Sequence, residues 1–585
     1  MKSGAGERVM SASVQNGTEQ PLNWEQRLSI MLAKRPWIVI VTCLALATAA
    51  LLPILIFGFP RGSDATLHYR WSAFFTEALR EGVVYPRWLA GANHGHGSPV
   101  MNCYSPLPLY VTAAFNLLLH NTLQAMTLSC GLAFALSGMT MYVFSRSVLS
   151  RGVSLFAAGF YVLAAYHFFD LYPGSAINEF WSFVWLPLVL DATYRIAKGE
   201  GWRASAYLGL SYALLILTHV LIPFATALIL PIYILALTRN WRRLAQVAGG
   251  LALGLGLSAF FLISVVFERQ YVKIALALDE DYRRHFLFRR TGPIWNVSLF
   301  SPSQVPYNGN YLLEATLVAG TLAILFLVGS FLLWRERGVE SRDPSGLAWR
   351  RAIWVVTALT LFMTTRRSAF IWRAIPPLAY LQFPNRWLVI STAGTSLIAA
   401  AALAAIMQAK RRRILYGTAF AIAVAFNLVI SAHQVVQAPY DAAGIERKLH
   451  GREVQMYMPV WRDENYKHEL VAAPAEILSG DGDVQAADDR GSRQSYVVTA
   501  RTSSTLGFRQ LYFPGWVARV DGNPIALGPN RAGSIQLTVE PGEHHLTLSF
   551  EDTWPRTAGK LISAVCIAGL FVLLFVARRT DPQSG

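Results

Sequence analysis

Asp64 and His68 stand four residues apart in RGSDATLHYRW (Arg61–Trp71), directly after a long apolar run. If a helical turn begins at the aspartate, the two share a face. A carboxylate beside an imidazole can act as a general base. The plainer alternative is a helix cap or a solvated loop residue. Leu67, Phe74, Phe75, Ala78 and Leu79 recur at helical spacing beside Trp71. That pattern predicts an amphipathic helix lying on a membrane surface, with Arg61 and Arg70 as anchors.

Other residues could join them. EGVVYPRWLAGANHGHGSPVMNCYSPLPLY (Glu81–Tyr110) has the Gly, Pro and aromatic content of a fixed irregular loop. Tyr85, Arg87, Trp88, His94, His96 and Tyr104 are its candidate substrate contacts. His94 and His96 could instead ligate a metal, but a chelate needs third and fourth ligands, and histidines that pack or bind backbone are commoner. Glu179, in GSAINEFW, suits the first turn of a helix through the dipole, or a role in metal or acceptor binding. His219, in ILTHVLIPF, is an ionisable group within a long apolar stretch, a functional candidate by default. Its alternative is a histidine closing a tight turn. Asp170 and Tyr172 flank Glu179 on the same expected loop.

The elements that must hold these groups are membrane helices. Of 585 residues, 54% are hydrophobic and only 15% charged, against roughly a quarter in soluble proteins. Apolar runs fall near 37–58, 121–145, 152–168, 179–196, 203–218, 220–237, 242–267, 311–334, 351–366, 387–408, 413–431 and 558–577. These read as about twelve transmembrane helices of a polytopic α-helical protein. The first is too long and too far into the chain for a cleaved signal peptide. The net charge of +16 is explained by topology and anionic headgroups, and no nucleic-acid motif accompanies it. The four cysteines form no CxxC or zinc spacing.

Lysine and arginine placement orients the chain. If the short run 105–119, with Pro106 and Pro108, does not cross, the basic clusters from Lys34/Arg35 to Arg578/Arg579 all lie on the cytoplasmic side. The run is therefore read as juxtamembrane or re-entrant. The expected organisation is a polar, partly unstructured cytoplasmic tail at 1–36, a transmembrane domain at 37–431 with its first extracytoplasmic loop at 59–120, a β-rich extracytoplasmic region at 432–556, a last span at 557–577 and a cytoplasmic tail at 578–585. SYVVTART, FRQLYF, WVARV, PIAL, SIQLTV and HHLTLSF are β-favourable runs. Asp521–Asn523 and Pro541–His544 read as hairpin turns between them. A small β-sandwich follows. Arg283, Arg284, Arg289, Arg290, Arg367, Arg373 and Arg386 fall outside, against the positive-inside bias.

Asp64…His68, then YPRW, GHGSPVMNCYSPLPLY and INEFWSFVWLPLVL, resemble the integral-membrane glycosyltransferases of the C superfamily. The likeness is to the bacterial YfhO-type branch, often labelled "6-pyruvoyl-tetrahydropterin synthase-related membrane domain". LQFPNRWL (Leu381–Leu388) is similar to that branch's aromatic-Pro-x-Arg segment, and YFPGWVARVDGNPI to its C-terminal domain. The order of these motifs over 37–577 carries the resemblance; no pterin chemistry is visible. It implies a catalytic base at Asp64, a second acidic position at Glu179, a polyprenyl-phosphate-linked sugar as donor and inversion at the anomeric carbon. Some members need a divalent metal such as Mg or Mn, for which Asp64 and Glu179 are the matching positions; others need none.

The chemistry fits on its own terms. A base deprotonates an acceptor hydroxyl as it attacks the sugar, and a departing lipid phosphate needs cationic stabilisation. Arg386 and His219 are the candidate donor-phosphate groups, the alternative for Arg386 being interfacial snorkelling. The leading expectation is an inner-membrane hexosyl- or pentosyltransferase acting on a glycan, lipid or wall polymer. A transporter or flippase is the alternative, against which no repeated broken-helix pattern is found. A non-catalytic scaffold of the same fold is a third.

Overall fold

The computed structural model describes residues 22–278, 282–288, 311–335, 344–409, 413–451 and 453–579. Seven of its helices are long and apolar enough to cross a membrane: Trp37–Phe57, Thr122–Arg146, Arg151–Gly174, Tyr311–Arg335, Pro384–Gln408, Arg413–Gln437 and Trp554–Phe575. A further candidate is broken, with Trp241–Leu257 and Ala259–Tyr271 meeting at 75°. Ser258 sits at the break and turns its hydroxyl back onto the Gly254 carbonyl at 2.8 Å, a known cause of helix bending. Helices also occupy the other apolar runs, at Ile177–Lys198, Gly201–Thr218, Leu221–Leu237 and Pro344–Met363. Ile177–Lys198 carries Asn178, Glu179, Asp191 and Arg195, and Leu221–Leu237 has only 17 residues.

The Leu107–Leu119 helix has 13 residues. At ~1.5 Å per residue it is too short to cross a ~30 Å core alone. It packs against Ala65–Arg80 and Thr122–Arg146. Residues Trp24–Lys34, within the expected tail, form a helix started by a capping box of Asn23 and Gln26.

The Ala65–Arg80 helix corrects one expectation. It does not lie free on a membrane surface. Trp71, Phe74 and Phe75 are buried, and the chain after the Arg413–Gln437 helix folds over them. Trp71 Nε1 donates to Glu453 Oε2 at 3.0 Å, and the rings of Trp71 and Tyr457 meet edge to face. Arg70 is buried rather than snorkelling. Arg61 pairs with Asp441 at 2.9 Å. The apolar face predicted by periodicity is real; its partner is protein.

Among the described residues, nine strands make two antiparallel sheets: β1 Ala475–Ser479, β2 Gly482–Arg490, β3 Arg493–Ala500, β4 Ser504–Leu511, β5 Trp516–Val520, β6 Asn523–Ile525, β7 Gly528–Pro529, β8 Ser534–Val539 and β9 Gly542–Phe550. The orders are β1-β4-β8-β7 and β2-β3-β9-β5-β6. Leu506, Phe508 and Leu537 of one sheet share a core with Tyr496, Val498, Leu546 and Leu548 of the other, which makes a sandwich. Asp521 and Gly522 both have positive φ, 51° and 85°, the geometry of a two-residue hairpin turn. The Pro541–His544 turn is not a hairpin: β8 and β9 lie in different sheets, so it is a crossover.

Candidate active site

Two loops are laced together and set Asp64 in place. Ser63 N donates to the Pro173 carbonyl and Asp64 N to the Gly174 carbonyl, each at 3.0 Å. Ser63 Oγ donates to Gly174 O at 2.8 Å, and Gly62 N to Ser175 Oγ at 3.2 Å. Gly62 makes this approach possible, because a Cβ there would stand 2.4 Å from the Pro173 carbonyl oxygen. The second loop runs directly into the helix that begins at Ile177 and carries Glu179.

Asp64 occupies the N-cap position of Ala65–Arg80, yet its side chain makes no capping bond. The carboxylate is half-buried and lines a cavity instead. Burial pushes it up to about 6, against the downward pulls of Arg386 and of a Ser63 hydrogen bond. A carboxylate there is ionised at neutral pH and more basic than an ordinary aspartate, as a general base should be.

Glu179 and Arg386 form an ion pair, with Arg386 Nε donating to Glu179 Oε2 at 3.1 Å. The other carboxylate oxygen accepts from Tyr166 Oη at 2.8 Å, and Tyr166 Oη accepts from Asn385 Nδ2 at 3.1 Å. Arg386 Nη1 donates to the Leu381 carbonyl at 2.7 Å and to Gln382 Oε1 at 3.3 Å. Gln382 adopts φ 58°, an uncommon conformation for a residue with a Cβ. The guanidinium is thus fixed on two edges at the rim of the Pro384–Gln408 helix.

His219 ends the Gly201–Thr218 helix. Its Nδ1 accepts from the backbone N–H groups of Leu221 and Ile222, both at 3.2 Å. The turn-closing explanation therefore holds, and it has a chemical consequence. With Nδ1 as acceptor, the neutral ring carries its proton on Nε2 as a fixed donor. His68 does not pair with Asp64: its Nε2 lies 3.4 Å from Tyr104 Oη. Burial lowers His68 to about 3, so it stays neutral and can only hydrogen-bond.

Asp64, His68, Tyr104, Glu179, His219 and Arg386 all line one cavity of about 1130 Å³. Its remaining wall is largely apolar and includes Phe224, Val265, Phe383 and Tyr457. Arg269 and Lys273 also line it, so this is an amphiphilic site of charged groups among apolar ones, larger than the ~300–1,000 Å³ of ordinary small-ligand pockets.

The expected substrate loop divides. Tyr104 faces the cavity, while Tyr85, Arg87, Trp88 and His96 brace the architecture. Arg87 donates to Ser264 Oγ at 3.0 Å and to the Phe260 carbonyl at 2.7 Å, under the ring of Tyr85. Trp88 inserts into the sandwich core, its Nε1 bonded to Gln510 Oε1 at 2.8 Å. His96 Nδ1–H donates to the Arg509 carbonyl at 2.9 Å, and His94 is exposed. None of these five lines the cavity, so the direct-contact expectation is corrected for them. Asp170 is buried beside the site but off its surface, and Tyr172 bonds the Ala50 carbonyl. Arg367 and Arg373 are exposed away from the cavity; Arg289 and Arg290 lie outside the described residues.

The residues do not fit a resident divalent metal. Both Glu179 oxygens are engaged, one by a guanidinium. Among the described residues no group of three His, Cys, Asp or Glu is placed to hold an ion. Tyr166, Asn178 and Tyr457 were not singled out from sequence. Tyr166 lies within the apolar run 152–168, which reads simply as membrane helix, and Asn178 lies in the expected short loop 169–178, beside the more conspicuous Glu179.

No family model and no curated protein matches the sequence. Among solved structures, the apo crystal structure of the Archaeoglobus fulgidus oligosaccharyltransferase aligns at 11% identity and TM-score 0.40, over 73% of this chain and 61% of that one. The same enzyme with zinc and sulfate aligns at 13% and 0.37, over 72% and 58%. The archaeal oligosaccharyltransferase AglB from that organism, with an inhibitory peptide and a dolichol-phosphate, aligns at 14% and 0.37, over 73% and 61%. The chain spans about three fifths of these structures. Likeness at this level does not establish a shared fold.

Proposed function

We propose that the chain is a membrane glycosyltransferase of the C superfamily, taking a sugar from a polyprenyl-phosphate-linked donor on the extracytoplasmic face. The observation that carries the reading is the convergence of Asp64, Arg386 and His219 on one amphiphilic cavity. In the proposed reaction Asp64 removes the acceptor hydroxyl proton as that oxygen bonds the anomeric carbon. The bond from that carbon to the phosphate oxygen breaks, and the configuration inverts. The charge left on the lipid phosphate falls to Arg386, with His219 Nε2–H as a neutral donor. Glu179 acts by orienting Arg386. The apolar wall suits the polyprenyl chain.

In this reading all twelve apolar helical segments cross the bacterial inner membrane, with the N-terminus cytoplasmic and the sandwich outside. That topology places both laced loops and the cavity on one side. A scaffold role is disfavoured by Asp64, whose uncapped carboxylate costs stability with no structural return. The test is a structure determined with a polyprenyl monophosphate. Phosphate density within hydrogen-bond reach of Arg386 and His219 supports the reading; lipid bound only on the outer helix surface contradicts it.

A further inference from the structure

Two buried polar atoms have no partner among the described residues, Asn178 Oδ1 and His68 Nδ1. Both side chains are about 1% exposed, and both residues line the same cavity as Asp64. Burying such an atom unpaired is unfavourable unless something fills the need. The rest of each side chain is committed. Asn178 Nδ2 donates to the Ser105 carbonyl at 2.8 Å, which fixes the amide orientation and leaves Oδ1 strictly an acceptor. His68 meets Tyr104 Oη through Nε2. Its Nδ1 is a donor if the phenol donates and an acceptor if the phenol accepts, so it can serve either polarity.

An obligate acceptor beside an adaptable donor-acceptor is matched by hydroxyl groups, each of which both gives and takes a hydrogen bond. It is not matched by an anion, which Asn178 Oδ1 would repel, nor by an alkyl chain. We infer that Asn178 and His68 form a hydroxyl-recognition subsite that reads the ring of a sugar held next to Asp64. These residues then determine which sugar is used, separately from the groups that hold the phosphate. A site built to bond a hydroxyl discriminates strongly against a ligand that lacks it, because its own buried atoms are left unpaired.

The inference rests on the proposed donor only for its lipid arm, and the experiment separates the two. Protein in neutral-lipid nanodiscs is titrated with a polyprenyl monophosphate and with a panel of polyprenyl-phosphohexoses and -pentoses. Wild type is expected to bind at least one sugar-bearing lipid about tenfold more tightly than the bare lipid. Asn178→Leu and His68→Phe should each remove most of that preference, since a neutral hydrogen bond is worth about two- to tenfold, and leave bare-lipid affinity within about twofold. Thermal melting of these variants and of Asn178→Ser and His68→Gln reports folding. No sugar preference in wild type means that ordered water alone satisfies the two atoms, and overturns the inference. Equal weakening of both lipids by the variants also overturns it, by making the residues merely structural. If neither lipid binds, saturation-transfer NMR with the matching methyl glycosides decides. A signal lost in Asn178→Leu keeps the subsite while the lipid-donor reading falls, and no signal removes both.

Discussion

The guanidinium of Arg386 donates to the carboxylate of Glu179 at 3.1 Å across the wall of the cavity that also holds Asp64. The chain separation between them is 207 residues, so the bond joins two distant helix ends into one site. Arg386 is held by Glu179, Leu381 and Gln382 together. Lysine cannot reproduce that fork. Arg386→Lys is expected to weaken polyprenyl-phosphate binding by about tenfold or more, and Arg386→Gln further, measured by lipid titration in nanodiscs. Unchanged affinity in both would remove Arg386 from the phosphate role.

Asp64 gives a pH dependence with a definite sign. Its folded carboxyl is raised to about 6 from an ordinary value near 3.8. The transfer rate should therefore rise with pH through about 6, as the base ionises. Stability should run the other way: the folded state holds the proton more tightly than the unfolded chain, so this contribution is present below the ordinary value and lost as pH rises through about 6. Asp64→Asn should thus melt higher than wild type at pH 8 and alike at pH 4. An unaltered or lower melting temperature at pH 8 would contradict the burial of this charge.

Gly62 tests the lacing of the two loops. A methyl group there meets the Pro173 carbonyl oxygen at 2.4 Å and Ser175 Oγ at 2.5 Å. Backbone must move, at a cost of about 1–3 kcal/mol for overpacking. Gly62→Ala should lower transfer strongly while barely changing polyprenyl-phosphate affinity, because it displaces Asp64 and not Arg386. Equal loss of both would show that the loops are one cooperative unit instead.

A buried ion pair joins the last helix to the Ala259–Glu268 helix, and the same arginine ties both to the sandwich. Arg556 is fully buried and meets Glu268 at 3.0 Å, with further bonds to the Glu551 and Pro514 carbonyls. Arg556→Ala strands the buried carboxylate and should destabilise by about 3–5 kcal/mol. The double variant Arg556→Met, Glu268→Leu should recover part of that loss. Denaturant or thermal unfolding in detergent provides the measurement.

Much of this arrangement was legible from residue patterns. Apolar runs placed the helices, β-favourable runs fell on β3, β4, β5, β6, β8 and β9 but missed β7, and Asp64, Glu179, His219 and Arg386 all reached the cavity. What periodicity cannot encode is which surface an apolar face meets. The Ala65–Arg80 stripe reads the same against lipid or against Tyr457, and only long-range folding decides. Trp88 and His96 sit in a loop whose composition signals rigidity but not direction, and they turned toward the sandwich. Tyr166, inside an apolar run, and Asn178, in the short loop before the next one, were hidden because a polar group shows its purpose only when its partner, or the lack of one, is seen.

The central claim is that Asp64 takes the acceptor proton in sugar transfer. Its most direct test is transfer of labelled sugar from a polyprenyl-phosphate-linked donor in membranes containing wild type or Asp64→Asn, with lipid binding measured alongside. The account predicts a fall of about 10²–10⁴-fold in transfer with lipid affinity retained. Transfer by Asp64→Asn within about twofold of wild type would contradict it.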